Sequence, residues 1–278
     1  MFTNGNSLKI STFLKALVAL FILASCKGGN KSTERDLLMA DSLNKELFIL
    51  DISESVYPLP TPFEMTAMLN DIGATYNSKI VNPSSNVNKY FTEQGKAVNL
   101  GIYGADLSYA STFQQQQDIQ TYLSVIKTLA DQLGINADYS VLLSDEYKEK
   151  YNNKDSLTNI ITKTIFDTYQ YLDKRSNPDL SVFMVTGVWV ELMYIATHVS
   201  EDSYNFTGIV DIIVNQRDSF KKVLNLLNSR NANIEIKNLE AKLLVLKPVY
   251  DKVASGLSPQ DYELILLTIR SVRNSIIS

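Results

Sequence analysis

Glu191 stands inside an otherwise apolar run, Val182 to Ile195. A carboxylate buried there without a partner is expensive, so it needs a partner, a proton or a water-filled pocket. Glu191, Tyr194 and His198 fall at i, i+3 and i+7, which is one face of a helix. A second stretch repeats the theme. Gly104-Ala105-Asp106-Leu107-Ser108-Tyr109-Ala110 echoes Trp189-Val190-Glu191-Leu192-Met193-Tyr194-Ile195-Ala196, with a carboxylate three residues before a tyrosine in both. If the echo reflects packing, Asp106 and Tyr109 face Glu191, Tyr194 and His198. Two carboxylates, two tyrosine hydroxyls and the only histidine then line one cavity. Such a set can bind a cation or a polar ligand, or raise one carboxyl pKa for acid–base work. The plainer reading, a buried Glu–Tyr or Glu–Lys hydrogen bond that satisfies a core polar group, is the stronger one. His198, beside the helix end at Val199-Ser200, reads as a partner of the C-terminal helix dipole.

Other chemistries lack their residues. A di-iron carboxylate bundle needs Glu-x-x-His twice, and the chain has one histidine. Zinc held by thiolates needs cysteines that the body does not have. There is no Gly-x-Ser-x-Gly, no His-Glu-x-x-His and no phosphate loop, and no nucleophile motif for which His198 would be the base. No catalytic, cofactor-binding or metal-binding residue is therefore assigned, and a non-catalytic role is favoured with an enzyme left open. The net charge of −4 comes with no basic patch that would track phosphates, so nucleic acid is not an expected partner. Tyrosines are abundant and read as half-buried helix positions with wet hydroxyls.

The lone cysteine offers a different chemistry. Leu23-Ala24-Ser25-Cys26 resembles the bacterial lipoprotein signal: a leucine, two small residues, then the acceptor cysteine. It closes a segment with Lys9 and Lys15 as its positive charges, followed by an apolar centre. That centre is about nine residues long, far short of the roughly 20 that span a bilayer. Residues 1–25 are expected to be a signal peptide that is removed, leaving Cys26 to carry lipid and attach the chain to a membrane. With no other cysteine, the mature chain has no disulfide and relies on its core. Lys27-Gly28-Gly29-Asn30-Lys31-Ser32 reads as a flexible tether. Lys27 is not the aspartate that, in the best-known sorting rule, retains lipoproteins at the inner membrane, so an outer-membrane destination is favoured. The first acid is Glu34, which favours the periplasmic face over the cell surface.

The elements that must position these residues read as helices. Residues 26–56 form the tether and a lead-in helix with Leu43, Leu47 and Leu50, and residues 57–278 a single all-α domain. Thr61-Pro62-Phe63-Glu64 is a capped helix start, followed by Met65, Met68, Leu69, Ile72 and Tyr76 on one face. Asn82-Pro83 opens a short helix. The glycines between 96 and 113 argue against a regular helix there, or for a close partner if one forms. A helix from Gln115 to Leu133 stops at Gly134-Ile135. A short helix follows around 139–151, and Asp155 caps the next. Ser181 to Val199, apolar nearly all round, reads as the central helix, with a strand pair as the alternative. Asn205 or Thr207 opens a long helix through Leu227. Ile236 to Val253 forms a seam that Pro248 kinks or splits. Ser258-Pro259 starts the last helix. The expected fold is an all-α bundle of about nine or ten mainly antiparallel helices, with duplicated helical hairpins as one origin of the echo.

The stretches Tyr57-Pro58-Leu59-Pro60-Thr61-Pro62-Phe63-Glu64, Gly101-Ile102-Tyr103-Gly104-Ala105-Asp106-Leu107-Ser108-Tyr109-Ala110 and Asp167-Thr168-Tyr169-Gln170-Tyr171-Leu172 resemble helical lipoproteins of Bacteroidetes-type bacteria. That group has no assigned activity. The resemblance implies an envelope location and adds no catalytic residue. The functional expectation is a lipid-anchored, non-catalytic helical module that binds or scaffolds an envelope partner. The alternative is a protein that binds a small ligand or metal, an enzyme among them, through the carboxylate–tyrosine cluster.

Overall fold

Thr61 and Glu64 form the expected capping box, with Thr61 N–H donating to Glu64 Oε1 at 3.0 Å, and open helix α1 (Pro62–Asp71). The computed structural model describes residues 58–135, 139, 143–144, 153–253 and 256–278. The chain divides into two units, Met1–Asp51 and Ile52–Ser278. The first unit, with the signal segment, Cys26, the tether and most of the lead-in helix, lies outside the described residues. So does the short helix expected around 139–151, except Tyr139 and residues 143–144. Among the described residues the fold is all-α, with ten α-helices, one 3-10 turn and no strand.

The helix α1 stops at Ile72, before Gly73 with φ +83°, so Tyr76 lies beyond it rather than on its stripe. The Tyr76 hydroxyl instead donates to Asp118 at 2.7 Å. The segment opened by Asn82-Pro83 is a 3-10 turn, Ser84–Lys89.

The glycine-bearing stretch is a regular 20-residue helix, α2 (Glu93–Thr112), capped by Thr92 Oγ1, which accepts from Gly95 N–H at 3.0 Å. Every residue from Ala97 to Thr112 is buried. Tertiary packing overrides the propensity cost of about 1 kcal/mol per glycine. A Cβ on Gly101 would lie 2.0 Å from the Met184 carbonyl oxygen, and one on Gly187 would lie 2.1 Å from that of Val98. Two backbones touch there: α2 and the central helix α5 (Asp179–His198). Gly104 has no such duty, since a Cβ there would meet only Ile165, at 3.8 Å.

Helix α3 (Gln116–Gln132) ends in the expected motif. Ile135 N–H donates to Ala130 O at 2.9 Å, Gly134 N–H donates to Asp131 O at 3.0 Å, and Gly134 has φ +64°. Helix α4 (Lys154–Asp173) is capped by Asn153, not Asp155: the Asn153 side chain accepts from Ser156 N–H at 2.9 Å. Helix α5 is helical throughout, and the strand alternative does not form. It is long and apolar enough to cross a membrane, but 94% of its apolar window is buried inside the fold, as a core helix requires.

The long helix expected from Asn205 or Thr207 starts later, after Gly208 with φ +90°, and is divided at Gln216 into α6 (Ile209–Asn215) and α7 (Arg217–Ser229). The Ile236–Val253 seam is split into α8 (Ile234–Leu244) and α9 (Lys247–Lys252). Pro248 has no N–H to give Leu244 and its ring would strike that carbonyl. Ser258 Oγ accepts from Asp261 N–H at 3.1 Å and starts α10 (Pro259–Ile277).

Candidate functional site

The fully buried carboxyls Asp106 and Glu191 are brought together by the contact between α2 and α5. Each lies a few residues past the Gly101–Gly187 crossing, so the two helices run in the same general direction. The third member comes from α10. Arg273 lies on the buried stripe with Ile269 and Ile265, one and two turns away. Its Nε donates to Glu191 Oε2 at 2.6 Å and its Nη2 to Oε1 at 2.7 Å. This two-pronged pairing is the strongest geometry available to a guanidinium and a carboxylate. Burial works against the charge on Arg273; Glu191 more than offsets it and holds the guanidinium above its ordinary value. Where a bound cation was one expectation, the cation is the protein's own arginine.

Asp106 takes the other half of the arrangement. Its Oδ2 accepts from Asn82 N–H at 3.1 Å, and Oδ1 faces no donor among the described residues. Burial first, and the neighbouring charge of Glu191 second, push its pKa well above the usual carboxylate range. The shift favours the protonated form, in which Asp106 can donate a hydrogen bond to Glu191.

The same cluster fixes the segment that runs over it. Arg273 Nη2 donates to Ile80 O at 3.0 Å. Asn82 Nδ2 donates to Tyr90 Oη at 3.0 Å, Asn86 Nδ2 to Asn82 Oδ1 at 2.8 Å, and Tyr103 Oη to Pro83 O at 2.8 Å. Residues 80–90 hold no helix beyond the short 3-10 turn, and these side chains meet buried polar groups around it.

The remaining expected members take other positions. Tyr109 does not face the carboxyls: its hydroxyl accepts from Asn77 N–H at 3.0 Å and donates to Thr75 O at 3.2 Å, and its ring packs on Tyr76 and Phe113. Tyr194 lies beneath the Arg273 guanidinium, 4.0 Å from it, in cation–π contact. His198 stacks on Tyr194 at 3.9 Å. Its Nε2 meets Arg270 Nε at 3.1 Å and Nη2 at 3.0 Å. Arginine can only donate, so Nε2 carries the lone pair and Nδ1 carries the proton, donated to Tyr194 O at 2.9 Å. Burial above all, with the charges of Arg270 and Arg273, lowers its pKa to about 4. His198 thus closes the end of α5 as a neutral hydrogen-bond donor and not, as the dipole argument has it, as a cation.

Arg273 and Asn82 are the members that sequence reasoning missed. Arg273 had a signal, a cation at helical spacing on the apolar stripe of α10, the counterpart of Glu191 on α5. Asn82 had none. Among the described residues no three His, Cys, Asp or Glu side chains gather to hold a metal ion. No family model, curated protein or solved structure matches the chain.

Proposed function

We propose that this chain is a bacterial envelope lipoprotein, cleaved before Cys26 and lipid-anchored there at the outer membrane, on the periplasmic face. Its helical body acts as a non-catalytic module that binds or scaffolds an envelope partner. The observation that carries the non-catalytic part is the Arg273–Glu191 pair. Among the described residues, the cluster of Asp106, Glu191, Tyr194 and His198 is closed by an internal arginine, with both Glu191 oxygens engaged. The address rests on Leu23-Ala24-Ser25-Cys26 and the short apolar segment before it. Apolar side chains that face solvent supply contact points: Phe91 is 84% exposed and Ile234 65%. Phe91 follows Tyr90, whose hydroxyl is tied to Asn82, so a well-fixed segment presents it.

Two measurements test this. Labelled palmitate should enter the chain, and Cys26→Ser should abolish labelling and release the protein into the soluble periplasmic fraction; unchanged membrane retention of the variant would overturn the anchor. Native mass spectrometry with elemental analysis of the gently purified protein should give a bare chain. A stoichiometric metal or ligand that is lost on Glu191→Gln would replace the module reading with the ligand-binding one.

A further inference from the structure

Helix α8 buries Ile236, Leu239 and Leu243, and its opposite face is open to solvent. At about 100° per residue, Ile234, Asn238, Ala241 and Val245 fall within about 60° of one another on that open face. All four are exposed, Ile234 at 65% and Val245 at 50%. Val245, with φ −56° and ψ −28°, continues the helical turn past Leu244. Leu244, also exposed, flanks the same face. A surface helix ordinarily turns charged and polar residues outward. Here Ile234, Leu244 and Val245 face out, so α8 carries a second apolar stripe that its own fold does not cover.

The charges beside this seam are divided in a specific way. Glu235 and Lys242 lie on one side of it, two turns and so about 10.5 Å apart along the axis. Neither meets an opposite charge among the described residues; Lys242 Nζ donates to the neutral Ser275 Oγ at 3.0 Å. Lys247 and Lys252, by contrast, are paired with Asp251 and Asp261. On the other side of the seam stand Lys237 and Leu244. A face with opposite charges at its two ends is complementary to itself when turned end for end. Two copies of α8 packed antiparallel, about a two-fold axis near Asn238 and Ala241, set like flank against like flank. Glu235 then meets the partner's Lys242, and Lys242 meets the partner's Glu235. Ile234 meets the partner's Val245, and Lys237 lays its stem along the partner's Leu244. A parallel pair would set Lys242 against Leu244 and leave that charge unanswered. The surface also has depth. A groove of about 290 Å³ is shared by Glu235, Asn238 and Lys242 with the apolar Val98, Phe183 and Leu239, which gives the partner's side chains room to enter.

We propose that the outward face of α8 is a self-association surface, on which a second copy of this chain docks antiparallel about a two-fold axis. The proposal goes beyond the envelope-module reading. It assigns Ile234 to the second copy and leaves Phe91 to another partner, and its failure leaves both Cys26 lipidation and the module reading untouched.

The test follows the mass of the full chain, solubilised in a mild detergent, by sedimentation equilibrium with the detergent density-matched. The expected result is a monomer–dimer equilibrium. Glu235→Lys sets ammonium against ammonium at both ends of the interface and should weaken the dimer roughly tenfold; Lys242→Glu should do the same with carboxylates. The double variant, Glu235→Lys with Lys242→Glu, restores both pairs in the opposite sense and should recover most of the lost affinity. Val245→Lys, which puts a charge at the end of the apolar seam, should abolish the dimer. All these sites are exposed, and unchanged far-ultraviolet circular dichroism should show that each variant keeps its fold. A monomer at every concentration overturns the proposal. So does a dimer that withstands Glu235→Lys and Val245→Lys, or a double variant no tighter than either single one.

Discussion

The two sides of α5 handle a buried polar group in opposite ways. On one side Glu191 is enclosed by Arg273 and Asp106, and the cluster reaches out to hold Ile80 and Asn82. On the other, Trp189 keeps an indole N–H that nothing in the described fold accepts. The difference follows from magnitude. An unpaired ion in the interior costs several kcal/mol, enough to unfold a small domain, so the fold has to close around it. An unpaired N–H costs about 1–3 kcal/mol, which a fold can carry. The residues that look most reactive are thus the most fully engaged, while weaker polar atoms, the Trp189 N–H and the Ser111 hydroxyl among them, are left without a partner.

The largest effect that would break this contrast is at Arg273. Arg273→Met strands Glu191 and should cost about 3–5 kcal/mol in urea denaturation, while Arg273→Met with Glu191→Leu recovers most of the loss. If the double variant is no better than the single, the pair is not what holds these helices. Next comes the crossing that brings the carboxyls together. Gly101→Ala or Gly187→Ala drives a Cβ into a backbone carbonyl and should cost about 1–3 kcal/mol, whereas Gly104→Ala, whose Cβ would make only ordinary contact with Ile165, should stabilise by about 0.5–1 kcal/mol. Equal melting shifts for all three would refute the close approach.

The third prediction separates the two carboxyls. In the unfolded chain Asp106 ionises near 3.8; in the fold it keeps its proton to higher pH. Above pH 3.8 the folded state therefore binds more protons than the unfolded one, and stability falls as pH rises toward the folded value. Asp106→Asn, which retains an acceptor for Asn82 N–H and places a permanent donor toward Glu191, removes that loss. The variant should be the more stable at neutral pH, with the gap closing as pH falls to about 3.8. The smallest effect is at His198. Its depressed pKa means that stability present above about 6.5 is lost as pH falls to about 4. The C2–H signal of this sole histidine should titrate near 4, and a midpoint near 6.5 would mean that the ring is not enclosed as described.

What could be read from the sequence is what local residues decide. Thr61-Pro62-Phe63-Glu64, Gly134-Ile135 and Ser258-Pro259 act within one turn, and the starts and stop they imply are where they should be. The centrality of α5 followed from its lack of a polar face. The choice of Asn153 over Asp155 and the break at Gln216 turn on small differences in where the first turn forms. The regularity of α2 was hidden because its glycines answer to a helix far along the chain. Arg273 was hidden for the same reason: its partner is 82 residues away, and spacing along one helix says nothing about which distant helix will face it.

The Gly101–Gly187 crossing also bears on time. A bundle assembled from successive hairpins closes short loops and folds quickly, but here the two innermost helices are separated by all of α3 and α4. The centre of the molecule cannot exist until that long loop has closed. Docking of α5 on α2 is then the slow step, and a chevron of Gly101→Ala should show slower folding with little change in unfolding; a change confined to the unfolding arm would mean that the crossing forms last.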